Sequence, residues 1–560
     1  MKHTRRQFLV HSAVVTAWGL APSLPLGANI PLLLDESPTA YRFPTLYNGG
    51  DVEVAQKNVP VWPETTTDRI VLNSLPLLAF EFEKGSSVSI PIRNQLTSPI
   101  SIHWHGLDVP SAMDGHPKDA FSAGSTKEYA FAVRNRAGLY FFHSHSHMAT
   151  AREVYMGLMG LVIVRDQEER QLSLPSGEYE LPLVIQDVRV DPAGKVAYSP
   201  TMNDMMNGWM GNRILVNGTP NTTHSVKRGA YRLRIVNASN ARVYKLQFSN
   251  ALPFTIIGTD GGLLEEPAVV TSVQLAPAER LDILVDFSTL AQGEIVRLIS
   301  APYTSPVEMM SPLYPQGIAL DIMSFIGSGE QGIQYSVPAK LCTLPTVPEV
   351  TTTRTFALAM SRGMGMGMRP TINGKTYDID RVDFQVTGGT YEIWQFQNQE
   401  NAMSHPMHIH GRQFRVLSRS NGALLPTDKG LKDTVLVGPS ETVRVAVQHS
   451  EYPGLFLFHC HNLEHEDEGM MQNYTVFVPT GIEEREPTDT MLYPNPTADS
   501  FVVQSQALEH GGVTIYDSMG RLVKQLHSMV PGSPISVADL PSATYRVQVG
   551  NVDLTLIVRR

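Results

Sequence analysis

At four places in 560 residues the chain sets a His-x-His pair: His103 with His105, His143 with His145 (in HSHSH, which His147 extends), His408 with His410, and His459 with His461. Eight of its 18 histidines are therefore paired in this way, which a random scatter would rarely produce. On a strand, alternate side chains share a face, so each pair presents two imidazoles to one side. Two pairs fall between 103 and 145 and two between 408 and 461. A shared cluster requires these segments, about 300 residues apart, to meet. The fold must dock an early β domain against a late one.

The last pair encloses one of only two cysteines, in HCHNLEHEDEGMM at 459 to 471. The apolar run GLFLF ahead of it, bounded by Pro453 and Gly454, predicts a buried strand. On that strand His459 and His461 face one way and Cys460 the other, so one tripeptide serves two sites back to back. His465 and Met470 follow in a loop or short helix that can fold back toward the cysteine. Two imidazoles, a thiolate and a weak thioether form the ligand set of a blue-copper electron-transfer site. The missing imidazole is available as His405, in HPMHIHG at 405 to 411.

A strand grammar recurs three times: GSSVSIPIRN (85 to 94), GAYRLRIVN (229 to 237) and GTYEIWQFQN (389 to 398), each opening on Gly and ending on Asn. A second strand follows each, at 121 to 133, 275 to 287 and 439 to 447. This spacing predicts an all-β chain of three related sandwich domains, since solenoid repeats are far shorter. The first and third copies carry His-x-His pairs and the second carries none, so the middle domain reads as a spacer. We expect domains at 40–170, 171–325 and 354–480, with a Ser, Pro and Thr-rich linker at 326–353. After the charged GIEEREPTDT, residues 488–560 form a small β module without a ligand pattern.

The net charge of -10 excludes a nucleic-acid or anionic-membrane binder. Cys342 has no partner once Cys460 is a ligand, so no disulfide framework exists and Cys342 is expected to be a buried or linker thiol. Residues 1–28, with Arg5-Arg6 before a short apolar stretch, read as a cleavable export signal, and TRRQFL resembles a twin-arginine signal. No other segment approaches a membrane span.

HWHG, HSH, HPMHIHG and HCHNLEHEDEGMM, in this order, resemble the copper-binding segments of three-domain multicopper oxidases, over about residues 40 to 480. The resemblance implies three cupredoxin-like Greek-key sandwiches and four copper ions. His405, Cys460, His465 and Met470 would bind type 1 copper; His103 and His408 type 2; and His105, His143, His145, His410, His459 and His461 the type 3 pair. It implies one-electron oxidation of phenols, aromatic amines or Cu(I), coupled to four-electron reduction of O2 to water. Asp114 and Glu466 match the family's acidic residues near the cluster and are expected to relay protons. His147 is expected to lie behind the ligands or at the surface without binding metal, and His116 and His449 are read as surface residues. The methionines of TMNDMMNGWMG (Met202, Met205, Met206, Met210) and SRGMGMGMRP (Met364, Met366, Met368) suit Cu(I). Alternatives are a copper-tolerance cuprous oxidase with little organic turnover and a copper-binding or division-associated scaffold. The terminal module, through YPNPT and IYDSMGRLV, resembles the C-terminal sorting domain of type IX secretion substrates. Export to the periplasm, cell surface or medium as a monomer is the corresponding expectation, with the export and secretion machinery as partners.

Overall fold

The computed structural model describes residues 37–62, 65–304, 314–362, 368–479, 491–504, 512–518, 520–527, 532–549 and 552–560. The expected signal at 1–28, the charged segment 481–490, and Met364 and Met366 lie outside them. The chain is all-β, with three cupredoxin-like sandwiches in one compact unit and a separate small β unit after Val478. Among the described residues no helix is long and apolar enough to cross a membrane.

The threefold strand grammar is one structural device used three times. Ser87–Asn94 pairs antiparallel with Thr126–Ala132, Ala230–Asn237 with Arg280–Asp286, and Tyr391–Asn398 with Thr442–Gln448. The terminal asparagines explain why the motif ends as it does. Asn94, Asn237 and Asn398 are buried, and each side-chain oxygen accepts from the backbone N–H two residues on, at 2.9, 3.0 and 2.9 Å. Each amide nitrogen donates to a carbonyl of the loop that follows: Ser98, Arg242 and Met403. Such Asx turns aim the chain out of the strand. In the first and third copies the next strand carries the histidines.

Two sheets hold those histidines. In the first sandwich a five-stranded sheet ends with Gly138–Ser144 beside Ile102–His105, in a register that sets His103 opposite His143. In the third, His405–Ile409 lies between Gly454–Cys460 and Thr434–Val437, with His408 opposite His459 and Met407 opposite Cys460. Each sheet is anchored by an aromatic core: Phe80, Trp104 and Phe142 in the first, Phe356, Trp394 and Phe458 in the third. Burial of such rings is the main drive holding the strands in place.

The second sandwich extends beyond the stretch expected for it. Thr39–Ala40 pairs parallel with its strand Thr222–Arg228, and Leu320–Gln331 runs into the segment read as a linker. The rest of that segment packs too. Leu341, Cys342 and Leu344 are buried against Leu263 and Leu284, and the Cys342 thiol donates to the Leu264 carbonyl at 3.1 Å. The terminal unit has a three-stranded and a four-stranded sheet around its own core, including Phe501, Ile515 and Val547.

Candidate metal centres

Strand alternation divides the tripeptide His459-Cys460-His461 between two sites. On one side, Cys460 Sγ lies 3.6 Å from His405 Nδ1 and 3.7 Å from His465 Nδ1. Bonds of about 2.0 Å to nitrogen and about 2.3 Å to sulfur, about 120° apart, would span that separation. His465 comes from the short helix Leu463–Asp467, and the chain then returns so that the Cys460 N–H donates to the Met470 carbonyl at 3.0 Å. All four residues are fully buried. Burial pushes the Cys460 thiol up from its ordinary value, so a thiolate here requires an adjacent cation. Burial likewise holds His405 well below its usual range and brings His465 down to about 4, leaving both rings neutral. His465 Nε2–H donates to the Met206 carbonyl at 3.0 Å, which fixes Nδ1 as the lone pair facing the sulfur.

On the other side, eight imidazoles converge where the first and third sandwiches meet. His103 Nε2 faces His408 Nε2 at 3.3 Å. His143 Nε2 lies 3.3 Å from His105 Nδ1 and 3.4 Å from His461 Nε2. His459 Nε2 lies 3.3 Å from both His145 Nε2 and His410 Nε2. The contacts thus sort into one pair and two triplets.

The outer nitrogens decide what the inner ones are. His103 Nδ1 lies 2.6 Å from the Asp114 carbonyl and His408 Nδ1 2.8 Å from the Asp433 carbonyl. A carbonyl only accepts, so both Nδ1 atoms carry hydrogen and the two facing Nε2 atoms carry lone pairs. His143 Nδ1 donates to the Ser144 carbonyl at 2.7 Å with the same result. Lone pairs aimed at one another in a buried site repel, and a cation between them turns that repulsion into coordination. The donor set therefore fits copper. Burial, reinforced by the neighbouring imidazoles, holds His105, His143, His145, His408, His410 and His461 well below the usual range.

Both sequence-predicted acids lie at this cluster. Asp114 Oδ2 accepts from His410 Nδ1 at 2.7 Å, and its Oδ1, 3.5 Å from His103 Nδ1, has no hydrogen-bond partner among the described residues. Glu466 Oε2 lies 3.1 Å from His459 Nδ1, and Oε1 3.7 Å from His145 Nε2. Both carboxylates are at most 2 % exposed, so neither is a solvated loop acid.

Two expectations need correction. His116 and His449 are buried, not on the surface. His116 Nδ1 accepts from the Lys118 N–H while Nε2 donates to Asn473 Oδ1 at 2.9 Å, tying a turn of the first sandwich to the third. His449 follows the strand Thr442–Gln448 and turns inward against Trp394. His147 is exposed, edge-on to Tyr377.

Sequence reasoning missed three groups. Asp433 accepts from His105 Nε2 at 3.0 Å, and Arg280 of the second sandwich grips the same carboxylate. Glu464, fully buried, accepts from the Trp209 N–H and from Asn240 Nδ2, anchoring the helix that bears His465 to the second sandwich. Asp467 caps the first turn of Thr150–Tyr155 through two N–H bonds of 3.0 Å. Asp433 lies outside every motif, and Glu464 and Asp467, although inside HCHNLEHEDEGMM, carry no sign of their partners in the other sandwiches. One trace was available: Gly106 of HWHG has φ +81°, and a Cβ there would meet Asp433 Oδ2 at 2.4 Å and Arg280 Nη2 at 2.8 Å.

Comparison with known proteins agrees with the geometry. Residues 53–169, 187–295 and 341–479 each match a multicopper oxidase family model, and residues 491–559 match the secretion system C-terminal sorting domain, a mark of secretion or cell-surface export. The chain is similar to the multicopper oxidase mco of Staphylococcus haemolyticus, 33% identical over 395 residues, covering 70% of this chain and 80% of that one. It is similar to the cell division protein FtsP of Photorhabdus laumondii, 31% identical over 486 residues, with 84% and 98% covered. The crystal structure of McoA multicopper oxidase from Aquifex aeolicus superposes with a TM-score of 0.72 at 36% identity, covering 79% of this chain and 99% of that one. With the ligand-bearing segments, the fold and these matches in agreement, the chain belongs to the multicopper oxidases, which couple oxidation of a donor to the reduction of O2.

Proposed function

We propose that this oxidase works with four coppers. His405, Cys460, His465 and Met470 hold type 1 copper, and His103 and His408 hold type 2. His105, His143 and His461 would hold one type 3 ion, and His145, His410 and His459 the other. The observation that carries this reading is the facing of lone-pair nitrogens His103 Nε2 and His408 Nε2 at 3.3 Å, beside two triplets of converging imidazole nitrogens. When bound, the coppers supply one-electron acceptance beside Cys460 and four-electron delivery to O2 at the cluster.

The protein's own groups do the rest. Cys460 and its flanking His459 and His461 give a covalent route between the two sites. Burial of all twelve ligands to 3 % exposure or less keeps bulk water from the cluster. Asp114 Oδ1, without a hydrogen-bond partner among the described residues, and the Glu466 carboxylate hold and pass protons. The similarity to a division protein supports a scaffold reading, but a scaffold has no use for twelve converging ligand side chains.

Two donor classes have support. The helix Met202–Asn207 packs against His465 through the Met206 carbonyl, and the strand starting at Met368 lies beside that helix, which favours Cu(I) with thioether ligands. A cavity of about 320 Å3 bordered by Met403, Ser404, Pro406 and Asn462 beside His405 favours a small organic donor. Replacing Met202, Met205 and Met206 together by Leu separates them. We expect cuprous oxidase efficiency to fall at least about 10-fold while phenol oxidation changes little; equal losses on both donors would favour the organic reading.

We further propose export through the twin-arginine-like leader and delivery by type IX secretion as a monomer. Removing residues 488–560 is expected to leave oxidase activity intact and to retain the protein in the periplasm of a host with that system. Fractionation with activity staining reads this, and equal export of both forms would count against it.

A further inference from the structure

The middle sandwich carries no copper ligand, yet it sends one side chain to the cluster. Arg280 is fully buried, and all five of its guanidinium N–H groups have acceptors. Nε donates to the Leu139 carbonyl of the first sandwich at 3.2 Å. Nη1 and Nη2 donate to the Ala278 and Asp260 carbonyls of the second, at 2.8 and 3.0 Å. The remaining two N–H groups form a fork on Asp433 of the third: Nη1 to Oδ1 at 2.6 Å, and Nη2 to Oδ2. One planar cation thus touches all three sandwiches at the point where they enclose the metal centre.

Asp433 passes that constraint to the ligands. Its Oδ1 accepts from His105 Nε2, so His105 must present Nδ1 as the lone pair, and Nδ1 is the atom facing His143. Its backbone carbonyl fixes His408 Nδ1–H in the same way. Asp260 secures the arrangement from behind: Oδ1 accepts from the Arg280 backbone N–H at 2.8 Å and Oδ2 from the Asp433 N–H at 3.3 Å, while Lys432 Nζ pairs with Oδ2 at 3.1 Å. Carboxylates hydrogen-bonded to a ligating imidazole set its tautomer and ring plane, and losing them typically weakens metal binding about 10–100-fold. The bidentate fork is a match that only arginine makes.

We propose that Arg280 is a positioning residue for the trinuclear centre: through Asp433 it sets the nitrogen that His105 offers and the seat of His408. The middle sandwich then takes part in oxygen reduction without binding metal. This rests on the four-copper reading above, so wild-type copper content is measured first; failure to hold cluster copper there defeats that reading before any variant is compared.

The test uses the full-length, copper-loaded protein with Arg280→Met, Arg280→Lys, Asp433→Asn and the double variant Arg280→Met, Asp433→Asn. Copper retained against EDTA, the blue absorbance of the cysteine site, the EPR signal of the uncoupled cluster copper and reoxidation by O2 are followed together. We expect each single variant to keep the blue absorbance, to lose cluster copper about 10–100-fold more readily, and to alter the EPR signal. The double variant should be no worse than the worse single, because both residues act through one contact. Arg280→Lys should rescue only part, since an ammonium cannot fill five acceptors. Blue absorbance also reports folding, and if Arg280→Met fails to fold, Asp433→Asn and Arg280→Lys carry the comparison. Lowered thermal stability with copper retention and EPR signal at wild-type values would overturn the proposal and leave Arg280 a clamp between domains. Strictly additive losses in the double variant would also overturn it.

Discussion

The two metal centres share a tripeptide but are assembled in opposite ways. On the proposed assignment the cysteine site would take all four ligands from residues 405 to 470, inside one sandwich and within two adjacent strands, a short helix and a turn. The eight-imidazole site takes half its imidazoles from each of two sandwiches, and its outer braces come from all three. The cysteine site draws its side chains from one domain, with His465 braced from the second sandwich through the Met206 carbonyl and Glu464. The shared site depends on docking, so a change far from any ligand can damage it.

The sharpest way to break the comparison is to remove one ligand from each side. Cys460→Ser should abolish the blue colour and reduce donor oxidation at least about 1000-fold, because no other thiol lies among imidazoles, while cluster copper remains. His103→Ala should do the reverse, keeping the blue site and losing cluster copper with a similar loss of O2 uptake. Metal analysis with optical and EPR spectra separates the two patterns. Loss of both centres in both variants would mean that the sites fold as one.

On the proposed reading proton delivery belongs to the shared site alone, which gives an intermediate effect. Asp114→Asn and Glu466→Gln keep shape but cannot carry a proton, and general acid–base contributions run to about 10²–10⁴-fold. We expect reoxidation of the reduced enzyme by O2 to slow by about 10–100-fold in each, with reduction of the cysteine site by donor unchanged. Stopped-flow timing of the two half-reactions checks this; unchanged reoxidation in both would make these acids structural.

Met470→Leu should have the smallest effect. An axial thioether tunes a cysteine-bound copper more than it retains it, and Leu fills the same buried volume. Copper content should stay near wild type with a raised potential, read by redox titration. Loss of that copper would show that Met470 holds the metal.

The sequence alone determined the periodicities and the donor chemistry. Alternation put His459 and His461 opposite Cys460, the spacing of His465 and Met470 allowed a return, and the Gly-to-Asn strands marked three copies of one sandwich. These features are local, set by backbone geometry within a few residues, so they can be read without the fold. Even the terminal Asn of each copy has a local cause, an acceptor for the N–H two residues on.

What only the tertiary structure decided is non-local. Asp433, Arg280 and Glu464 look like ordinary charged strand and helix residues in the sequence. Their roles arise from contacts spanning 153 residues between Arg280 and Asp433 and 224 between Glu464 and Asn240. His116 and His449 read as surface residues because a polar side chain in a polar segment carries no sign of what will be packed over it. The middle sandwich read as a spacer because it lacks His-x-His pairs, whereas its contribution is a charge whose partner lies in another domain. A buried guanidinium is stable only when every N–H finds an acceptor. Here three sandwiches must dock to supply those five acceptors, and no single stretch of sequence records the whole set.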